Sequence, residues 1–176
     1  MVSRPIIFDE HDTQAARNKR SRDKGVEFES LIETACEYYS LRRYAKIEKT
    51  PEPRRVIGRT GGRKSQMICV NEKKAQPDFK GTIAGGRSVV FEAKRTDGDR
   101  MPQSYVTETQ AENLDEHEKL GALCFVLVSF GMREFFRVPW HDWKCMKELY
   151  GRKYIKPEDA EKFRIGEAGG ILLFLE

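Results

Sequence analysis

The sequence predicts an α/β domain: a mixed β-sheet flanked by helices. Three observations carry that expectation. Helical and strand periodicities alternate along the chain, the pattern of a sheet with helices packed on it. A short hairpin, Pro77 to Ile83 and Ser88 to Lys94 around a Gly85-Gly86 turn, supplies an antiparallel pair. The length, 176 residues, suits one sizeable core with an appendage and is short for two.

Taken in order, residues 1 to about 20 are polar and read as a flexible N-terminal arm, which leaves 21–176 as one domain. A helix is predicted from about Gly25 to Leu41, because Phe28, Leu31, Ile32, Ala35 and Tyr39 recur at helical spacing. A strand around Tyr44 to Glu48 leads into an insertion at about 50–66, expected to be an extended or irregular loop because it holds Pro53, Gly58, Gly61 and Gly62. Gln66 to Val70 reads as a returning strand. After the hairpin, Arg95 to Ser104 reads as a polar loop. Thr107 to Leu120 is predicted helical, with Thr107 and Gln110 spaced as a capping box. The apolar stretch Ala122 to Phe130 reads as a buried strand, and Gly131 turns the chain into Arg133 to Val138. A helix follows from Pro139 to about Tyr150, then a short helix from Pro157 to Phe163 and a last strand from Ile171 to Leu175.

Composition excludes several classes. The longest apolar run, Ala122 to Val128, is far shorter than the ~20 residues that span a bilayer, so no membrane association is expected. Asp9 and Glu10 fall where a signal peptide has its apolar core, which points to a cytoplasmic protein. Cys36, Cys69, Cys124 and Cys145 are far apart with no C-x-x-C pair, so buried free thiols are expected rather than disulfides or a zinc site. His11, His117 and His141 have no metal-binding spacing.

The net charge of +4 is unevenly placed. Between Arg42 and Lys74 eleven basic residues meet three acidic ones, a local excess of +8, and the rest of the chain is net acidic. Arg54, Arg55, Arg59, Arg63, Lys64, Lys73 and Lys74 are the candidate DNA-binding residues of this segment. A solvated loop is the ordinary reading of a charge run, whereas an uncompensated run of this size favours a phosphate backbone.

The chemistry concentrates in Pro77-Asp78-Phe79 and Phe91-Glu92-Ala93-Lys94. Side chains alternate faces along a strand, so Val90, Glu92 and Lys94 share one face, and the hairpin brings Asp78 onto the neighbouring strand beside Glu92. Two carboxylates and an ammonium at one place suit a hard divalent cation such as Mg²⁺ and phosphodiester hydrolysis. An exposed Glu–Lys pair on a hairpin is the bland alternative.

This series resembles the PD-(D/E)xK nuclease signature, which also places a glutamate on the helix before the sheet; Glu29, in Gly25-Val26-Glu27-Phe28-Glu29, matches that position. Further pieces resemble the RecU family of bacterial Holliday junction resolvases: Lys49-Thr50-Pro51-Glu52-Pro53 before the basic segment, Gln76-Pro77-Asp78-Phe79, Phe91 to Lys94, Thr107-Glu108-Thr109-Gln110, and Gly121 to Val128. Together they span about residues 20 to 150. The resemblance implies a restriction-endonuclease-like sheet with a basic, stalk-like insertion that enters the junction. It implies Asp78, Glu92 and Gln110 at the metal site, Lys94 as the transition-state stabiliser, and Glu29 as a further catalytic carboxylate. Mg²⁺ is the expected cofactor, with Mn²⁺ as a substitute and no small-molecule cofactor. The expected partner is branched DNA, cut by a homodimer through paired symmetric nicks that leave a 5′-phosphate and a 3′-hydroxyl. Such an enzyme belongs in the cytoplasm of a bacterial or phage-infected cell. Where the family has a threonine two residues before the aspartate, this chain has Gln76. The alternatives are another nuclease of the superfamily, acting on flaps, ends or foreign duplex, and a non-catalytic DNA-binding module.

Overall fold

The computed structural model describes residues 14–51, 54–59, 67–71 and 76–176, with side chains from 22 to 51 and from 76 to 176. Helix α1 (Gln14–Leu41) leads to strand β1 (Ala45–Lys49). Strands β2 (Arg54–Arg59) and β3 (Met67–Asn71) follow, then the hairpin of β4 (Phe79–Ile83) and β5 (Ser88–Thr96). Next come β6 (Met101–Pro102), α2 (Glu108–Lys119), β7 (Leu123–Phe130) and β8 (Glu134–Pro139). The chain ends with α3 (Trp140–Lys144), α4 (Met146–Tyr150), β9 (Tyr154–Ile155), α5 (Pro157–Ala160), β10 (Glu167–Ala168) and β11 (Ile171–Leu172).

Five strands form the central sheet in the order β1-β4-β5-β7-β8. The β5–β7 pair is parallel and its connection passes through α2, whereas the other neighbours are antiparallel. The expected mixed sheet flanked by helices is therefore present. The hairpin turn needs glycine twice, since Gly85 and Gly86 sit at φ 93° and 91°. Gly81 is needed for another reason: a Cβ there would meet the Lys46 carbonyl oxygen of β1 at 2.1 Å.

Each face of the sheet carries its own core. On one side, Phe28, Ile32, Ala35 and Tyr39 of α1 pack on Phe79, Phe91, Phe125 and Leu127, with Phe174 closing the cluster. Phe79, Phe91 and Phe125 stack across three strands at centroid distances of 5.0 and 4.6 Å. On the other side, Val90, Val126, Val128, Phe136 and Val138 lie under Leu114, Trp140, Trp143 and Met146.

Several boundaries depart from the sequence reading. Helix α1 begins at Gln14, within the stretch read as an arm. Gln14 to Lys24 contains neither glycine nor proline and is rich in Ala, Arg, Lys and Gln, all good helix formers. The insertion is not a simple loop. Its β2 pairs antiparallel with β3, with a register shift between Val56 and Gly58 that leaves Ile57 without a partner. Backbone pairing satisfies this segment's amides whatever its side-chain charge, which charge counting alone does not register. The helix expected from Pro139 to Tyr150 is two short helices meeting at Cys145. Trp140, Trp143 and Met146 are all buried, and strict three-residue spacing drifts off one face of a continuous α-helix. Arg95 to Ser104 is only partly a loop, because β5 runs to Thr96 and Met101 is buried, pairing with Ile155. The last strand is shorter than expected, ending at Leu172.

Cys36 and Cys124 are buried free thiols, their pKa values pushed up by burial to about 12 and about 11. The Cys69 side chain lies outside the described ones. Among the described residues no helix is long and apolar enough to cross a membrane.

Candidate active site

The site grows from the point where β4 starts. Phe79, its first residue, pairs with Phe91, so the part of β5 beyond Phe91 has no strand partner on that side. On its other side β5 stays paired, with Glu92 against Val126 and Lys94 against Val128. Asp78 occupies the resulting notch. Its backbone carbonyl accepts from the Thr50 N–H at 2.9 Å, and its carboxylate Oδ2 accepts from the Ala93 N–H at 3.0 Å. The carboxylate thus takes the amide that a longer β4 would have satisfied.

Glu92 and Lys94 project from the face opposite Phe91, as the alternation requires. Glu92 is fully buried, at 0% exposure. Its Oε2 accepts from Lys94 Nζ at 2.8 Å and from Gln110 Nε2 at 2.5 Å. Lys94 Nζ also lies 3.6 Å from Asp78 Oδ2, which joins the two carboxylates through one ammonium. Glu92 Oε1 is buried and has no hydrogen-bond partner. Burial pushes the Glu92 pKa up to about 8, the Asp78 charge adds to the rise, and Lys94 opposes it. Burial wins over the ion pair here because the carboxylate has left water entirely while Lys94 compensates only one of its oxygens.

In its ionised form this buried carboxylate, with one oxygen saturated and the other bare, lacks a positive partner on the bare side. Among the described residues no three His, Cys, Asp or Glu side chains converge on a common point. Any cation here would rest on the Asp78 and Glu92 carboxylates and complete its shell with water or phosphate oxygens. That donor set fits a hard ion such as Mg²⁺, which binds through one or two carboxylates and keeps several waters.

The remaining candidates are distributed around this cluster. Gln110 joins it directly, through the hydrogen bond to Glu92. Glu29 does not: its carboxylate accepts from Lys49 Nζ at 2.5 Å, and Glu33 lies 3.4 Å from the same ammonium. Hydrogen bonding to Glu29 raises the Lys49 pKa. Lys49 stands opposite Phe79 in the β1–β4 register, one residue from Asp78, so Glu29 is beside the cluster but engaged elsewhere. Gln76 is exposed, and its Oε1 faces Lys80 at 3.5 Å. Arg54, Arg55 and Arg59 lie on β2, whose side chains are outside the described ones, whereas Arg63, Lys64, Lys73 and Lys74 are outside the described residues altogether. Two contributors had escaped sequence reading. Lys49 is a tertiary partner of Glu29 with no local signal, and the Ala93 N–H acts through its backbone, which no residue type advertises. Among the described residues, one groove lies between α1 and β1 beside Glu37, Ile47 and Lys49, and another beside Trp140 and Trp143. The candidate site is an open notch at a strand end, a form suited to a polymeric substrate.

The sequence model of the family described as RecU, Recombination protein U, matches residues 23–169. The Holliday junction resolvase RecU of Bacillus pumilus is 28% identical over 159 residues, covering 85% of this chain and 73% of the relative. The protein of the same name from Streptococcus gordonii is 28% identical over 122 residues, covering 66% of this chain and 60% of the relative. Among solved structures, Archaeoglobus fulgidus Hjc, a Holliday junction resolvase from an archaeal hyperthermophile, aligns with a TM-score of 0.47 and 12% identity, covering 80% of this chain and 89% of that one.

Proposed function

The chain belongs to the RecU family, and from that premise we propose that it is a metal-dependent, structure-selective DNA endonuclease. Its substrate is a four-way DNA junction, which it resolves as a homodimer by paired symmetric nicks, in the cytoplasm. The observation that carries the catalytic part is Glu92: fully buried, one oxygen held by Lys94 and Gln110, the other without a partner, and next to Asp78. Building such a group costs folding stability, and a cation recovers that cost.

Asp78 and Glu92 are the residues that would hold the cation. When bound, Mg²⁺ supplies Lewis acidity that makes water a better nucleophile and offsets the negative charge of the scissile phosphate. Lys94 lies between the two carboxylates and presents an ammonium where charge accumulates on a phosphate drawn into the notch. Gln110 fixes the orientation of Glu92. The Ala93 N–H fixes Asp78, so both carboxylates are set before DNA arrives. The basic run from Arg54 to Lys74 supplies the phosphate affinity that brings the junction to them.

The test is a synthetic four-way junction incubated with the protein and Mg²⁺. Paired nicks leaving 5′-phosphates are expected, with flap and linear duplex cut more slowly. Asp78→Asn is expected to bind the junction nearly as the wild type does and to leave it whole. A wild-type protein that binds the junction in Mg²⁺ and never cuts it would sink the catalytic reading.

A further inference from the structure

Resting on that reading of the site, we propose that Thr107, outside the cluster itself, is a positioning residue for it. Thr107 holds the Gln110 amide with its oxygen turned away from Glu92 and its nitrogen turned toward it. The geometry is a chain of three links. Thr107 is the N-cap of α2, and its backbone N–H donates to Gln110 Oε1 at 3.1 Å. The Thr107 hydroxyl donates to the same Oε1 at 3.2 Å, and the Gln110 backbone N–H returns to that hydroxyl at 3.4 Å. With its oxygen occupied by two donors, the amide has only Nε2 to offer Glu92 Oε2, at 2.5 Å.

A flipped amide would set Oε1 against a carboxylate oxygen and its NH₂ against the Thr107 N–H, losing the bond to Glu92 and the bond from the Thr107 backbone. The capping box is therefore also an orientation lock. A motif that ordinarily serves only to start a helix here decides which end of an active-site amide faces the carboxylate. This sharpens the role of Gln110: while the cap is intact its oxygen is committed to Thr107, so Gln110 acts as a donor that orients Glu92 and not as a ligand. It also explains the asymmetry of Glu92. Lys94 and Gln110 both load Oε2, and Oε1 is the oxygen left for a cation.

Two substitutions separate orientation from capping. Aspartate caps a helix at least as well as threonine by accepting the N3 amide, but it has no proton to give Gln110 Oε1 and attracts the Nε2 end instead. Serine keeps both roles. Thr107→Ser and Thr107→Asp are therefore expected to melt at similar temperatures. Thr107→Asp is expected to lose about ten-fold in kcat for junction cleavage with little change in KM, and Thr107→Ser to recover the rate. Independently of cleavage, the ¹⁵N side-chain amide resonances of Gln110 are expected to shift in Thr107→Asp and to stay in place in Thr107→Ser. The Mg²⁺ concentration needed to raise the melting temperature is expected to increase only in the aspartate variant. If both variants leave the Gln110 resonances and the Mg²⁺ titration as in the wild type, the positioning role is overturned. If the wild type itself fails to cut junctions, the function proposed above falls, and the amide spectra and the Mg²⁺ titration decide the role of Thr107 by themselves.

Discussion

Strand β5 has two faces that do opposite work. Val89 and Phe91 point to α1 and enter an uncharged, mainly apolar cluster, where Phe91 stacks between Phe79 and Phe125. The residues between and beyond them, Val90, Glu92 and Lys94, point to α2, and that face begins apolar and turns charged within one alternation. The change coincides with the end of the β4 pairing at Phe79. Packing on the α1 side keeps the strand rigid up to the point where its neighbour stops, and the α2 side uses that rigidity to hold a carboxylate out of water. Stability and chemistry are thus divided between adjacent residues of one strand, and each face can be perturbed without the other.

The sharpest way to break this division is Glu92→Gln. The side chain keeps its shape and much of its hydrogen bonding but loses the charge that a cation would need. Cleavage is expected to fall by roughly a thousand-fold or more, the upper end of what losing one preorganised polar group costs. Thermal stability at pH 8 is expected to hold or rise, since a buried charge has been removed. Loss of stability together with retained cleavage would show that Glu92 is a structural residue.

The converse substitution is Phe91→Ala, one residue away. Emptying the middle of a three-ring stack is expected to cost about 3–5 kcal/mol, read by denaturant or thermal unfolding. At a temperature where the variant is folded, the rate per folded molecule is expected to stay within about ten-fold of wild type, a looser site being the only route from Phe91 to the chemistry. A loss of rate as large as that of Glu92→Gln would mean that the two faces are not separable.

These two residues also show what was legible in the sequence. Alternation along Val89 to Lys94 placed Phe91 and Glu92 on opposite faces, because a period of two is a local property of the chain. The capping box at Thr107 and Gln110 was equally local and was found where expected. The end of β4 opposite Phe91 was not legible. It depends on register, and register is settled by side chains that meet only after the sheet forms. For the same reason the pairing of Glu29 with Lys49 and the meeting of Gln110 with Glu92 left no trace in spacing. In the β2–β3 ribbon, β3 was legible as a strand returning near Gln66 to Val70, whereas β2 was hidden by its own charge, which spoke for a partner and said nothing about backbone pairing.

A smaller effect should appear with pH. The ordinary carboxyl value for Glu92 is 4.5, and in the folded protein it is pushed up to about 8. Below the first value both folded and unfolded chains hold this proton. Between the two values the folded chain keeps a proton that the unfolded chain has released, so the contribution of Glu92 to the stability of the metal-free protein declines as pH rises through this window. Mg²⁺ needs the ionised form. The rise in melting temperature on adding Mg²⁺ is therefore expected to be larger at pH 8 than at pH 6, and Glu92→Gln is expected to remove the difference. An Mg²⁺ shift that is the same at both values would place the cation away from Glu92.

Glu29 supplies the finest test, because the structure gives it an occupation other than catalysis. It is a partly exposed carboxylate paired with a partly exposed lysine, and such pairs are worth at most about 1 kcal/mol. Glu29→Gln should therefore barely move the unfolding midpoint. Its effect on cleavage depends on whether the carboxylate leaves Lys49 when cation and DNA fill the notch next to Asp78. A loss of a few-fold, with Lys49→Met losing no more, is the expected result if Glu29 contributes from the edge of the site. A loss approaching that of Glu92→Gln would make Glu29 a third ligand and extend the charged face of β5 across the sheet edge to α1. In that case the division between the two faces would hold for the metal-free protein alone, and metal binding would be the event that joins them.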